Sequence, residues 1–190
     1  VDYVSQFEVD ESYEQINYQD TPYRVTPLEY SNIIKWFTNR SDGLPAYIRV
    51  NMVTQESEVV KLDEGMKYSK SEHFGRKIQR HLRANYPTFM FGSLAFEIND
   101  KGIPYWIAPV YNYDIGLFGG KDITGAVLVN AINGDHQYYD IKDVPEWVDR
   151  VYPSELIISQ LENYGKYTNG FFNTIFSQKG VLQPTSGYNY

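Results

Sequence analysis

Apolar and polar residues alternate most cleanly over Ala46 to Val53, with Ala46, Ile48, Val50 and Met52 on one side and Tyr47, Arg49 and Asn51 on the other. A period of two predicts a half-buried strand. Thr54 to Ser57 is polar and turn-like, and Glu58 to Leu62 resumes as a second strand. The pattern returns in Ser93 to Ile98 and Ile103 to Val110, which flank Asn99-Asp100-Lys101-Gly102, a turn with glycine where positive φ is needed. It returns again in Gly125 to Tyr139, where Asn133-Gly134 separates two apolar runs and predicts a tight hairpin with a type I′ turn.

Other stretches carry the helical period. Thr26-Pro27-Leu28-Glu29 matches a helix start, with a capping threonine, a proline in the first turn and a glutamate closing the capping box. Tyr30, Ile33, Ile34 and Phe37 then predict a helix over about residues 27 to 38. Ser69 and Glu72 form a second capping box ahead of a helix over about residues 70 to 85. Phe74, Ile78 and Leu82 make its apolar stripe with His81 at the edge, and Arg76, Arg80 and Arg83 line the opposite face with Lys77 and His73. Val144 to Trp147 predicts a helical turn. Pro153-Ser154-Glu155 starts a last helix, with Leu156, Ile157, Gln160, Leu161 and Tyr164 on its buried side and Gly165 as its stop.

This order, helix–hairpin and then helix–hairpin–hairpin, has the form of a degenerate repeat. It predicts an α+β fold in which antiparallel β-hairpins are covered on one face by amphipathic helices. The expected divisions are an acidic N-terminal arm (1–25), a first helix-plus-hairpin unit (26–66), a second unit with two hairpins and a closing helix (67–165), and an aromatic, Gly- and Asn-rich extension (166–190). The arm holds Asp2, Glu8, Asp10, Glu11, Glu14 and Asp20 before the first basic residue, Arg24. A solvated arm is favoured there over an acidic docking strip or a cation site.

Composition narrows the chemistry. The 190 residues fit one domain or two small ones sharing a sheet, and an apolar share of 42% suffices for a core. No apolar run reaches the length of a membrane span. A net charge of −7 argues against a general nucleic-acid binder. The absence of cysteine excludes thiolate catalysis, disulfides and thiolate metal sites. A cysteine-free chain rich in Tyr, Asn and Gly, beginning at Val1, fits an extracytoplasmic piece of a longer envelope protein.

No catalytic constellation stands out. His73 and His81 lie eight residues apart on one predicted helix, about 12 Å along it, so they cannot share a metal, and His136 follows a turn. No metal site or cofactor is expected. Glu97, Asp114, Asp122 and Asp135 fall near strand ends and keep a carboxylate-dependent wall hydrolase open as an alternative. Gly116 to Lys121 lacks the spacing of a phosphate loop, and Asn39-Arg40-Ser41, although a glycosylation sequon, belongs to a turn. Two features could bind. Tyr105, Trp106, Tyr111, Tyr113 and Phe118 concentrate aromatics around one loop, joined by Tyr138 and Tyr139. Arg76, Arg80 and Arg83 offer cations to an anionic partner, although solvation or pairing with the acidic arm is the plainer reading.

Val129-Asn130-Ala131-Ile132-Asn133-Gly134-Asp135, ending a hairpin that follows a helix, resembles the PepSY-type module, as does Tyr105-Trp106-Ile107-Ala108-Pro109 on the strand before it. Asn130 and Asn133 stand where that module more often has Asp and Thr. The resemblance implies a cystatin-like helix on a small antiparallel sheet, here as two units in tandem. It further implies an inhibitory or protein-binding role outside the membrane of a Gram-positive bacterium. The partner expected is another envelope protein or a wall polymer, with a structural spacer as a third possibility.

Overall fold

Among the described residues, strand is what most of the apolar side chains form. The computed structural model describes residues 7–10, 13–113 and 121–151. Its contacts divide the chain into Val1–Asn112 with Ile123–Val151, and Tyr113–Asp122 with Tyr152–Tyr190. Two antiparallel sheets lie in the first unit, apart from the outer ends of two strands. One is built from β1 (Phe7–Val9), β2 (Glu14–Tyr18), β3 (Thr21–Tyr30), β4 (Leu44–Asn51) and β5 (Ser57–Met66). The other comprises β6 (Met90–Phe91), β7 (Ala95–Ile98), β8 (Pro104–Tyr113), β9 (Lys121–Asn130) and β10 (His136–Asp140).

Among the described residues there are only two α-helices, α1 (Ile33–Asn39) and α2 (Ile78–Asn85). The expected α+β arrangement, with helices roofing the hairpins, is therefore corrected to a mostly β fold. The hairpins are largely covered by one another. β7 packs against β2 and β3, and one hydrophobic cluster joins Ile16 and Val25 to Phe96, Ile98 and Trp106. The Tyr47 and Phe96 rings meet at 6.2 Å, and the Tyr47 hydroxyl donates to the Gly102 carbonyl at 3.2 Å. From α2 only Ile78 and Leu82 enter this core.

Other expectations shift with it. The stretch read as an acidic arm is woven into sheet, with Phe7 and Ile16 in the core and Glu14 buried. The boundary expected at residue 26 falls inside β3. Thr26-Pro27-Leu28-Glu29 starts no helix, because β3 runs on to Tyr30. α1 begins later, where the Asn32 side chain accepts the Ile34 and Lys35 N–H groups at 3.1 and 3.0 Å. The helix expected over residues 70 to 85 begins only at Ile78, after an irregular connection and a single 3-10 turn at Phe74–Arg76. The last predicted helix and the C-terminal extension lie outside the described residues.

The two sheets repeat one topology down to single hydrogen bonds. β1 and β2 serve one edge of β3 in tandem, as β6 and β7 serve β8. Pro22-Tyr23-Arg24-Val25-Thr26-Pro27-Leu28 matches Pro104-Tyr105-Trp106-Ile107-Ala108-Pro109-Val110 position for position. The Asp10 N–H donates to the Pro27 carbonyl at 3.3 Å, and the Gly92 N–H to that of Pro109 at 2.9 Å. Both prolines stand where the edge partner breaks, so their missing N–H groups orphan no ladder acceptor.

The hairpin turns correspond too. The Asn51 Oδ1 accepts the Val53 and Thr54 N–H groups at 2.8 and 3.1 Å, and the Asn130 Oδ1 accepts those of Ile132 and Asn133 at 2.9 and 3.4 Å. Gln55, at φ 64°, holds the place of Gly134, at φ 82°. This is a four-residue loop closed by Asn130 N–H to Asp135 carbonyl at 2.8 Å, not the expected type I′ turn. Consecutive positive φ angles occur instead at Gln19 and Asp20, 52° and 60°. The repeating unit is thus a broken edge strand, a long strand, a connection and a hairpin. α1 occupies that connection in the first repeat. In the second, its counterpart is the segment containing residues 114–120, outside the described residues.

Candidate functional site

The residues singled out in the sequence are not brought together. Trp106 is 1% exposed, and its indole N–H donates to the Tyr68 carbonyl at 2.9 Å. Tyr105, on the other face of β8, is half-buried against the Trp147 ring, 5.2 Å away. Tyr111 is half-buried beside Gly92, where a Cβ would stand 2.3 Å from its hydroxyl. Tyr113 ends β8, and Phe118 lies outside the described residues. The basic residues do not share one helix face either. Arg76 precedes α2, Arg83 donates to the Pro87 and Phe89 carbonyls at 3.3 and 3.0 Å, and Arg80 is exposed.

A different surface is assembled around α1. A helix of seven residues is too short to hold itself, and its orientation is set through Trp36. The indole Nε1 donates to one Glu72 oxygen at 2.7 Å, and the Tyr30 hydroxyl donates to the other at 3.2 Å. Glu72 is 1% exposed, so a carboxylate is buried against two neutral donors. Burial, and then the Glu72 charge, push Tyr30 ionisation well up, which keeps its hydroxyl a donor.

With Trp36 turned inward, Ile33, Ile34 and Phe37 remain 64, 71 and 62% exposed. Phe74 joins them at 70% exposure, its ring 6.0 Å from Trp36. Its φ of 53° is a strained conformation for a bulky residue. Between α1 and this turn lies a cleft of about 630 Å³, lined by Trp36, Arg40, Tyr68, His73, Phe74 and Arg76, with Ser41 and Gly75. The Arg40 guanidinium sits 5.6 Å over Trp36 and 4.7 Å over Phe37. Arg76 donates to the Arg40 carbonyl at 2.5 Å. Ser41 and His73 share the cleft without a hydrogen bond between them, so it holds no paired nucleophile and base. The arrangement can offer an apolar rim, an aromatic floor and two guanidinium forks.

No family model, curated protein or solved structure matches this chain.

Of the carboxylates considered for hydrolysis, Glu97 and Asp135 are engaged in hydrogen bonds. Glu97 is fully buried and accepts the Asp149 and Arg150 backbone N–H groups, each at 2.9 Å. Burial pushes its pKa up to about 7 against those bonds. The charges of Asp149 and then of Glu14 add to the rise, and Glu14, from the stretch read as an arm, is ion-paired with Arg150 and is itself raised by burial. Asp135 is exposed and accepts from Asn133 at 2.7 Å, Asp122 is exposed, and Asp114 lies outside the described residues.

The histidines form no metal site among the described residues. His81 contacts the Gly134 carbonyl at 3.0 Å and is lowered by burial, and His136 contacts the Tyr86 hydroxyl at 3.0 Å. His73 lies edge-on to Trp36 at 4.6 Å. The sequence reading missed Glu72 and Phe74 as partners of Trp36. Asn32 before an apolar run was the available signal for where α1 begins.

Proposed function

We propose that this chain is a non-catalytic, extracytoplasmic binding module of an envelope protein, and that it contacts a protein partner through the surface of α1 and Phe74. One observation carries the reading: Ile33, Ile34 and Phe37 stand in solvent on α1, and Phe74, equally exposed, lines the cleft that α1 borders through Trp36 and Arg40. Contiguous exposed apolar surface of this kind is characteristic of interaction sites. A strained Phe74 that faces outward supports the same reading, because relaxation to an ordinary φ would redirect the ring. A protein-binding role is also what the PepSY-type resemblance of Val129 to Asp135 implies. A spacer has no use for such a cleft, and a hydrolase built on Glu97 lacks access, since that carboxylate is buried behind two backbone donors.

Site-specific photocrosslinking tests the reading. A benzophenone side chain placed at Phe74, and for comparison at Val59, an exposed residue on β5 at 50%, is irradiated in intact cells. A discrete protein adduct from position 74 and none from 59 is the expected result. The same adducts from both positions, or none from 74, would sink the reading.

A further inference from the structure

We infer that the cleft beside α1 receives a protein segment presenting an apolar side chain next to a carboxylate. The inference rests on the binding reading above and adds the chemistry of the occupant. Electrostatics points the way. The chain carries a net charge of −7, yet Arg40, His73 and Arg76 line this cleft and no acidic side chain does. Glu72 lies beneath it, engaged by Trp36 and Tyr30.

Among the described residues, neither Arg40 nor Arg76 forms an ion pair. Stacking over Trp36 and Phe37 holds the Arg40 guanidinium, which makes no hydrogen bond of its own among these residues, and leaves its N–H edge open. Arg76 gives one nitrogen to the Arg40 carbonyl and keeps the rest of its fork. Two oriented guanidinium groups match a planar carboxylate. Phe37, under the Arg40 guanidinium, and Phe74, in the wall of the cleft, call for an apolar neighbour on the same ligand. A bare anion would leave that rim wet, and a neutral sugar would leave the guanidinium groups without a counter-charge.

Nuclear magnetic resonance titration of the whole chain tests this with N-acetylphenylalanine and its amide. Inorganic phosphate and the trimer of N-acetylglucosamine serve as competitors. The acid should shift Trp36, Phe74 and Arg40 signals saturably and bind about tenfold more tightly than the amide. Arg40→Gln with Arg76→Gln should abolish that difference, and Phe37→Ser with Phe74→Ser should weaken both probes. Equal binding of acid and amide would refute the carboxylate inference while leaving the apolar surface standing. Failure of both probes to bind would remove the surface reading too. Displacement of the acid by phosphate or by the sugar trimer would replace the protein segment with that ligand.

Discussion

Burial of Glu97 contributes stability in mild acid that is lost in mild base. Its carboxyl rises from an ordinary 4.5 to about 7 because burial disfavours the charged form more than the Asp149 and Arg150 N–H groups favour it. A folded pKa above the unfolded one means that the native state binds the proton more tightly. The stabilisation is complete below 4.5 and is lost as pH climbs through 7. At ~1.4 kcal/mol per unit, the gap corresponds to about 3 kcal/mol in the fully ionised limit, of which roughly 2.5 falls between about pH 5 and about pH 8. Urea unfolding of the native chain and of Glu97→Gln across that range should show stabilities that converge, or cross, as the pH rises. Glu29, also raised, and His81, lowered and so opposite in sign, act equally in both proteins and drop out of the difference. Glu14 is electrically coupled to Glu97, so part of its titration moves with the difference. A gap between the two proteins that stays constant with pH would refute the argument.

The duplicated turns supply a matched pair. Gly134→Ala should lower stability by about 1–3 kcal/mol, since φ is 82° and a Cβ would stand 2.3 Å from the Tyr68 ring, while Gln55→Gly at the equivalent site should raise it by about 0.5 kcal/mol. Both are read from urea midpoints. Glu72→Leu strands the Trp36 and Tyr30 donors and should cost about 2–4 kcal/mol, with a measurable coupling to Tyr30→Phe in a double-mutant cycle. Phe37→Ser and Phe74→Ser, both at exposed side chains, should each change stability by no more than about 0.5 kcal/mol in the same assay.

Alternation located β4, and apolar runs bounded by turn residues located β7, β8 and β9, which are buried on both faces over most of their length. Local helix signals failed where distant partners took the same groups. The Ser69 hydroxyl does accept the Glu72 N–H at 3.2 Å, as a cap would, yet the Glu72 carboxylate is claimed by Trp36 and Tyr30, and the chain does not coil there. Pro27 fits the first turn of a helix and equally fits a strand beside a broken edge, and only the position of β1 distinguishes them. Ile33, Ile34 and Phe37 have the spacing of a core stripe, but spacing does not say which side of a helix faces the protein. The spaced Pro-Tyr…Pro segments at Pro22 and Pro104 carried the duplication in plain view. Helix-start signals at Thr26 and Ser69 mask it.

Two near-copies of a strand arrangement in one polypeptide create a folding hazard: the first strand of either hairpin could pair with the second strand of the other. The cross-strand neighbours discourage this exchange. Arg49 lies opposite Glu58, ion-paired at 2.7 Å, whereas the corresponding positions in the other copy are Leu128 opposite Gln137. Swapped partners would set Glu58 against leucine and leave the arginine facing a neutral amide. A chain in which Arg49 and Glu58 were replaced by leucine and glutamine would lose that discrimination, and its refolding should slow through misregistered, kinetically trapped species.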